Sequence, residues 1–333
     1  MSRTSTDTAG GARRVSLSGP TMGSRWTAVW FDDGRLDPME IGRALVGAVG
    51  AVDGQMSTWK PDSDLMRLNR AAVGYWHDVP ANLAVVLAAA LRIGRASSGA
   101  FDIGVGRLVA DWGFGAHAGR VDGLAGTSGP LGIDTLEIDG AGRRVRKLAP
   151  MSLDLSGIAK GFGVDELAGV LDEAGIGSFL VGIDGEMRAR GRKPDGGAWS
   201  LAVERPEPDR RSVHSVVELE DCAIATSGDY RHVRETGDGR ISHTIDPRTG
   251  GPSRNAVASV TVLAPTAMVA DAMATALMVL GPDEGTALAE QHGLDALFIL
   301  RGADGAFQER STRRFAATDL TATCARIGAD GHR

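Results

Sequence analysis

The segment Ala267–Leu280, AMVADAMATALMVL, constrains this chain more than any other. It is apolar throughout except for one carboxylate, Asp271, and one hydroxyl, Thr275. The run falls short of the ~20 residues that cross a bilayer, so it reads as a helix of a soluble fold, capped by Thr266 and closed at Gly281-Pro282. An ionised carboxylate on such a helix is costly unless it is paired, hydrogen-bonded or bound to a metal. The i, i+4 spacing puts the oxygens of Asp271 and Thr275 on one helical face. Two oxygen ligands of this kind suit Mg²⁺, which completes its shell with water and substrate phosphates. The alternative is an Asp near the first turn, favoured by the helix dipole and solvated.

Composition narrows the class. With 333 residues, 43% hydrophobic and 23% charged, the chain is ordinary globular material, which excludes wholesale disorder and a small disulfide scaffold. Thirty-six basic against 42 acidic residues give a net charge of −6, so no global field invites nucleic acid or an anionic membrane. The 46 glycines imply many turns and close backbone approaches. Cys222 and Cys324 match no metal spacing and are expected to be a reduced pair rather than a long-range disulfide. The polar N-terminus lacks the apolar core of a secretory signal and an early lipid-bearing Cys. A cytoplasmic protein without membrane insertion is expected.

Along the chain, residues 1–14 are expected to be a disordered tail. Alternation marks Ser24–Phe31 as a strand, and apolar spacing marks Pro38–Val52 and Asn82–Arg95 as helices. A long loop is expected over Trp112–Gly132 and a third helix over Ile158–Ala174. Strands are expected around Thr135–Ile138, Arg143–Lys147, Ser178–Ile183, Trp199–Val203, Val213–Leu219, Ala223–Thr226, Ala256–Leu263 and Ala296–Leu300. Strands outnumber helices and hairpins are plausible, which favours an α+β fold over a regular βαβ repeat.

Three further segments carry chemistry-bearing residues. In Asp154–Gly163, DLSGIAKGFG, glycines and Ser156 open a helix that offers N–H groups to an anion, with Lys160 alongside. The P-loop spacing is absent, and a Gly-rich turn with a surface Lys is the plain alternative. In Ser242–Gly250, SHTIDPRTG, His243 precedes a tight Asp246-Pro247 turn, where it is either a loop-borne base or structural. In Gly99–Gly106, GAFDIGVG, Asp102 either binds a polar ring edge or caps a turn. His77, His117, His214, His232 and His292 form no ligand spacing.

The order of these segments is distinctive. It runs from Thr21-Met22-Gly23 through Ser57–Asn69 (STWKPDSDLMRLN), GAFDIGVGRLVADWGFG and DLSGIAKGFGVD. Ser227–Tyr230 (SGDY), SHTIDPRTG and ADAMATALMVLG follow. The whole succession resembles the ApbE family of FAD:protein FMN transferases over roughly residues 15–300. The resemblance implies a single two-lobed α+β domain of the T-fold-like kind at 15–305, followed by a C-terminal strand and tail at 306–333. It implies Mg²⁺ (or Mn²⁺) and transfer of FMN from FAD to a threonine or serine hydroxyl of an acceptor protein, with release of AMP. The acceptor would carry an Asp-Gly…Ala-Thr-like motif. A Mg²⁺-dependent FAD pyrophosphatase or a non-catalytic FAD-storage protein are the competing readings.

Carried over by position, the resemblance puts Met22, Trp59, Ala100, Phe101, Asp102, Asp154, Lys160 and Ile245 at flavin-nucleotide contacts. It puts Gly157, Asp271 and Thr275 at the metal, and gives catalytic roles to His243 and Lys160. Asp184 stands where many relatives have Gly, and Ala274 where some have a second acid.

Overall fold

Val257–Ala264 is buried at every position, which requires cover on both faces of the strand, and the computed structural model supplies it. The residues described are 3–9, 12–116, 131–207, 210–230, 233–236, 239–302, 304–316 and 321–323. A 9-stranded sheet runs β1 (Arg3–Ala9), β2 (Ala12–Thr21), β3 (Ser24–Asp32), β4 (Phe179–Ile183), β5 (Glu186–Arg190), β6 (Cys222–Gly228), β7 (Val257–Ala264), β8 (Asp295–Arg301) and β9 (Phe307–Ser311). Every neighbouring pair is antiparallel, and the order across the sheet follows the order in the chain. Such a meander needs no crossover connection. The β2–β3 turn places Met22 at φ 46° and Gly23 at φ 69°. This is the left-handed pair that a two-residue hairpin requires, and it is unusual for a methionine.

Two long connections hold the helices. Between β3 and β4 lie α1 (Pro38–Met56), α2 (Asp64–Arg70), α3 (Ala81–Ala96), the short α4 (Gly106–Asp111) and α5 (Gly132–Thr135), and α6 (Ala159–Glu173). A small sheet of Trp76–Asp78, Arg144–Lys147 and Leu136–Ile138 sits among them. Helix α7 (Ala267–Gln291) connects β7 to β8. The start of α1 is fixed by Asp37, which accepts from the Met39 N–H, and by Pro38 in the first turn. Its buried Leu45, Val49, Val52 and Met56 form one stripe. In α7 the helix breaks at Gly281 (φ 82°), and Pro282 opens a second helical stretch, so the expected stop is real but helix resumes after it. Asn255 Nδ2 donates to the carbonyls of Met278 and Val279 there.

The helices cover one face of the sheet: Val260 and Val262 of β7 pack in one cluster with Leu83, Leu87, Met273 and Leu277. On the other face Ile224 and Leu263 pack against Trp199, Val203, Val217 and Leu219. These belong to a smaller sheet of Trp199–Glu204, Val213–Glu220 and Thr321–Thr323. The fold is therefore α+β, as expected, in one compact unit.

Two expectations need correction. The first residues are not a structureless tail, because Arg3–Ala9 pairs with β2 from Arg3↔Ser18 to Ala9↔Ala12. Edge pairing uses backbone groups and tolerates the polar side chains that suggested disorder. Cys222 is fully buried and disulfide-bonded rather than reduced, and Cys324 lies outside the described residues. Most of the expected 112–132 loop also lies outside them. Among the described residues no helix is long and apolar enough to cross a membrane.

Candidate functional site

Helix α6 begins without a cap of its own, since Ile158 offers no side-chain acceptor. The first N–H groups of a helix need partners from elsewhere. Asp271 of α7 supplies one: its Oδ2 accepts from the Gly161 N–H at 3.0 Å. The service is returned by Asp165 of α6, which accepts from the N–H groups of Ala267 and Met268 at 2.9 Å each. Arg188 of β5 holds the same Asp165 carboxylate at 2.7 Å. Burial pushes the Asp165 carboxyl upward against the pull of Arg188 and these two donors. The two helices approach this closely because residue 161 is glycine. A Cβ there would lie 2.3 Å from the Ala267 carbonyl oxygen and 2.8 Å from Asp271 Cβ.

A cavity of about 390 Å³ opens beside this crossing. Its wall brings together Ala100, Phe101, Asp102, Asp154, Gly157, Lys160, His243, Ile245, Asp271 and Thr275. Met22 and Trp59 do not line it. Met22 Cε instead faces Gly163 of α6, 3.0 Å from where a Cβ would stand, and Trp59 is 73% exposed.

Charge is concentrated at the α6 start. Lys160 Nζ donates to Glu186 Oε1 at 2.8 Å, and Asp184 Oδ2 is 3.8 Å away. Burial disfavours the ammonium, but the charges of Glu186, Asp271 and Asp184 outweigh it and hold Lys160 protonated, above the ordinary lysine range. Asp271 is pushed up to about 7, first by burial and then by the charge of Glu186, against the pull of Lys160. The pocket thus carries more negative charge than Lys160 neutralises.

Oxygen donors gather at that place. Thr275 Oγ1 lies 3.1 Å from Ser227 Oγ, and a Cβ on Gly157 would come within 3.2 Å of Thr275 Oγ1. A carboxylate, two hydroxyls and nearby backbone form a hard donor set of the kind Mg²⁺ and Mn²⁺ take, so the residues present fit a divalent cation. Among the described residues no three His, Cys, Asp or Glu group as metal ligands. Such an ion would depend on water and ligand phosphates for its remaining positions.

Two aspartates in the wall shape the backbone. Asp102 Oδ1 accepts from the N–H groups of Gly104 (2.6 Å) and Gly132 (2.9 Å), and Oδ2 from Ile133 (3.2 Å). Its carboxylate ties the GAFDIG turn to α5. Burial outweighs these donors and raises its pKa. Asp154 Oδ1 accepts from the Ser156 N–H at 2.8 Å and shapes the approach to α6.

His243 sits on a braced loop. Asp246 accepts from the backbone and guanidinium of Arg248, and Trp112 Nε1 donates to the Gly250 carbonyl at 3.0 Å. The His243 ring meets Phe114 edge-on, with centroids 6.4 Å apart. Of the remaining histidines, His214 contacts Glu309 and His77 the Ala72 carbonyl. His117 and His232 lie outside the described residues.

Glu186, Ser227, Tyr230 and Glu204 also line the cavity, and sequence reasoning gave them no role. Tyr230 donates to Glu204 Oε2 at 3.2 Å. The available signals were Ser227 and Tyr230 inside SGDY, and Glu186 three positions past the strand end at Ile183. Neither signal names a partner.

Comparison with known proteins agrees with this architecture. The ApbE family model matches residues 22–298. The FAD:protein FMN transferase of Vibrio cholerae is 40% identical over 311 residues, 91% of this chain and 92% of that one. That of Haemophilus influenzae is 37% identical, with 90% of each chain covered. The solved flavin transferase ApbE from Vibrio cholerae superposes with a TM-score of 0.80 at 39% identity, covering 90% of this chain and 97% of that chain. The Pseudomonas stutzeri flavinyl transferase ApbE gives 0.81 at 36% identity, covering 91% and 96%. With the family model spanning most of the sequence and the fold shared along nearly its whole length, the chain belongs to the ApbE family.

Proposed function

We propose that this chain transfers the FMN part of FAD to a threonine or serine hydroxyl of an acceptor protein and releases AMP, with Mg²⁺ (or Mn²⁺) as cofactor. The supporting observation is that Lys160, Asp271, Thr275 and His243 face one cavity, in a chain whose relatives are named for this transfer. The α6 start and Lys160 receive the pyrophosphate, the lysine donating to phosphate oxygens. Asp271, Thr275 and the backbone at Gly157 hold the cation. When bound, the cation neutralises charge on the phosphoryl oxygens.

Ala100, Phe101, Asp102, Asp154 and Ile245 form the nucleotide wall. Met22 and Trp59 enter only for parts of FAD that extend past the cavity. In the reaction the acceptor oxygen bonds to the FMN phosphorus, the P–O bond to AMP breaks, and a ring nitrogen of His243 takes the hydroxyl proton. Because a phosphoanhydride has a good leaving group, positioning and charge stabilisation carry most of the work.

Purified protein incubated with FAD, Mg²⁺ and a peptide bearing an Asp-Gly…Ala-Thr-like motif tests this reading. AMP together with a peptide mass gain of one FMN moiety is expected. AMP without the mass gain means a pyrophosphatase, and bound FAD with no AMP means a storage protein. A cytoplasmic setting is the working reading, and the disulfide at Cys222 runs against it, since disulfides persist in oxidising compartments. Alkylation and mass analysis of protein taken directly from cells decides between them.

A further inference from the structure

Glu186 is the least explained group in the cavity. Its side chain is only 5% exposed, yet it lines the wall. One oxygen, Oε1, is bound by Lys160. The other, Oε2, is buried and has no hydrogen-bond partner. A buried carboxylate oxygen without a donor is expensive, and one kept at a ligand cavity calls for a partner that arrives with the ligand. The hairpin that carries Glu186 is tightly set. Asp184 adopts φ 56° in the turn, and Ile183 pairs with Glu186 across it, so the carboxylate is aimed at α6 by backbone register. Its charge also acts on Asp271, the residue assigned to the cation.

We propose that Glu186 is a binding residue of this cavity, its Oε2 accepting a hydrogen bond from an O–H donor that enters with the substrate. That donor is a water of the hydrated divalent cation or a hydroxyl of the flavin's sugar chain. The inference rests on reading the cavity as the FAD and metal site. The donor set there favours water as the partner, because one carboxylate and two hydroxyls leave about half of an octahedral shell to be filled from outside the protein. The terminal torsion of Glu is broad. A small rotation therefore presents Oε2 to the cavity while Oε1 keeps Lys160, and the two oxygens of one residue serve a fixed cation and an incoming ligand.

The test measures binding of Mn²⁺ alone, and of FAD in the presence of a chelator, to the wild-type protein and to the Glu186→Gln and Glu186→Asp variants. A water partner predicts Mn²⁺ affinity lowered about 10–100-fold in Glu186→Gln, with chelated FAD binding unchanged. A sugar hydroxyl predicts the loss in the FAD arm alone. Glu186→Asp keeps the charge but withdraws the oxygens by one methylene, so direct contact predicts a similar loss there. Affinity restored by Glu186→Asp means that charge alone acts and overturns the contact. Unchanged affinity in both arms for a folded Glu186→Gln overturns the proposal outright, leaving Oε2 to an internal water. Should both variants fail to fold, wild-type crystals soaked with Mn²⁺ and FAD decide: no donor within hydrogen-bond distance of Oε2 refutes it. If the wild-type protein binds neither Mn²⁺ nor FAD, the functional reading itself falls, an outcome distinct from variants that bind as the wild type does.

Discussion

At the scale of single residues, removal of His243 should separate chemistry from binding if the proposed role is right. The ring sits on a loop braced by Asp246 and Trp112, so His243→Ala leaves the loop's own bonds in place. A general base contributes about 10²–10⁴-fold in rate. Transfer should slow by that factor while FAD affinity, read by calorimetry, changes little. Lost affinity with a normal rate at saturating FAD would make it a binding residue. Asp271→Asn keeps an oxygen able to accept from the Gly161 N–H but removes the negative charge. The variant should fold and lose metal-dependent turnover, and wild-type activity at limiting Mg²⁺ would exclude Asp271 as a ligand. Asp271 and Thr275 were legible in the sequence because each is polar on an otherwise apolar helix. Glu186 was not, because the meaning of a carboxylate on a strand depends on Lys160, twenty-six positions away in the chain.

The elements differ in how openly they declare themselves. Strand β3 alternates buried Trp26, Ala28 and Trp30 with more exposed neighbours, and α1 carries one apolar stripe; both patterns are local and were readable. Strand β5, EMRAR, hides its nature. Two of its charged residues are buried or half-buried against opposite charges, Glu186 on Lys160 and Arg188 on Asp165, and those partners sit on α6. Asp165 was likewise unreadable, since its role is to cap a helix that begins about a hundred residues later. Removing one member of a buried, bonded charge pair costs about 3–5 kcal/mol. Asp165→Ala should lose stability of that order in urea titration, more than Arg188→Ala, which leaves the helix-cap bonds intact. Equal losses would mean that the caps contribute nothing. The small residue at the crossing matters in the opposite sense. Gly161→Ala forces a methyl against the Ala267 carbonyl, and overpacking of this kind costs about 1–3 kcal/mol.

For the whole molecule, the cavity draws on residues from Ala100 to Thr275, delivered by several connections and by strands of the sheet itself. Its integrity and that of the fold are therefore linked, and ligands should stabilise the protein globally. Free ligand at a hundred times its dissociation constant adds about 2.7 kcal/mol to unfolding. FAD with Mg²⁺ should raise the melting temperature, a chelator should remove much of the gain, and Asp271→Asn should show only the part that survives chelation. A chelator-insensitive gain in the wild type would separate FAD binding from the cation. The α+β class was visible from the excess of strands over helices. That the nine strands meet in chain order was not, because register across a sheet is set by partners that no single segment contains.

The reciprocal bonds between the starts of α6 and α7 have a dynamic consequence. Gly161's amide is held by a carboxylate on α7, and the amides of Ala267 and Met268 by a carboxylate on α6. The two helix starts are coupled, because fraying of one removes a donor from the carboxylate that the other helix contributes. In hydrogen–deuterium exchange these three amides should behave as a single opening unit, with one free energy and one response to denaturant. Asp165→Asn should accelerate exchange at Gly161 although it never touches that residue. The ends of this pair farthest from the sheet crossing, around Glu173 and Gln291, are free to exchange at their own pace. The cavity end of the protein would then be its most cooperative local region.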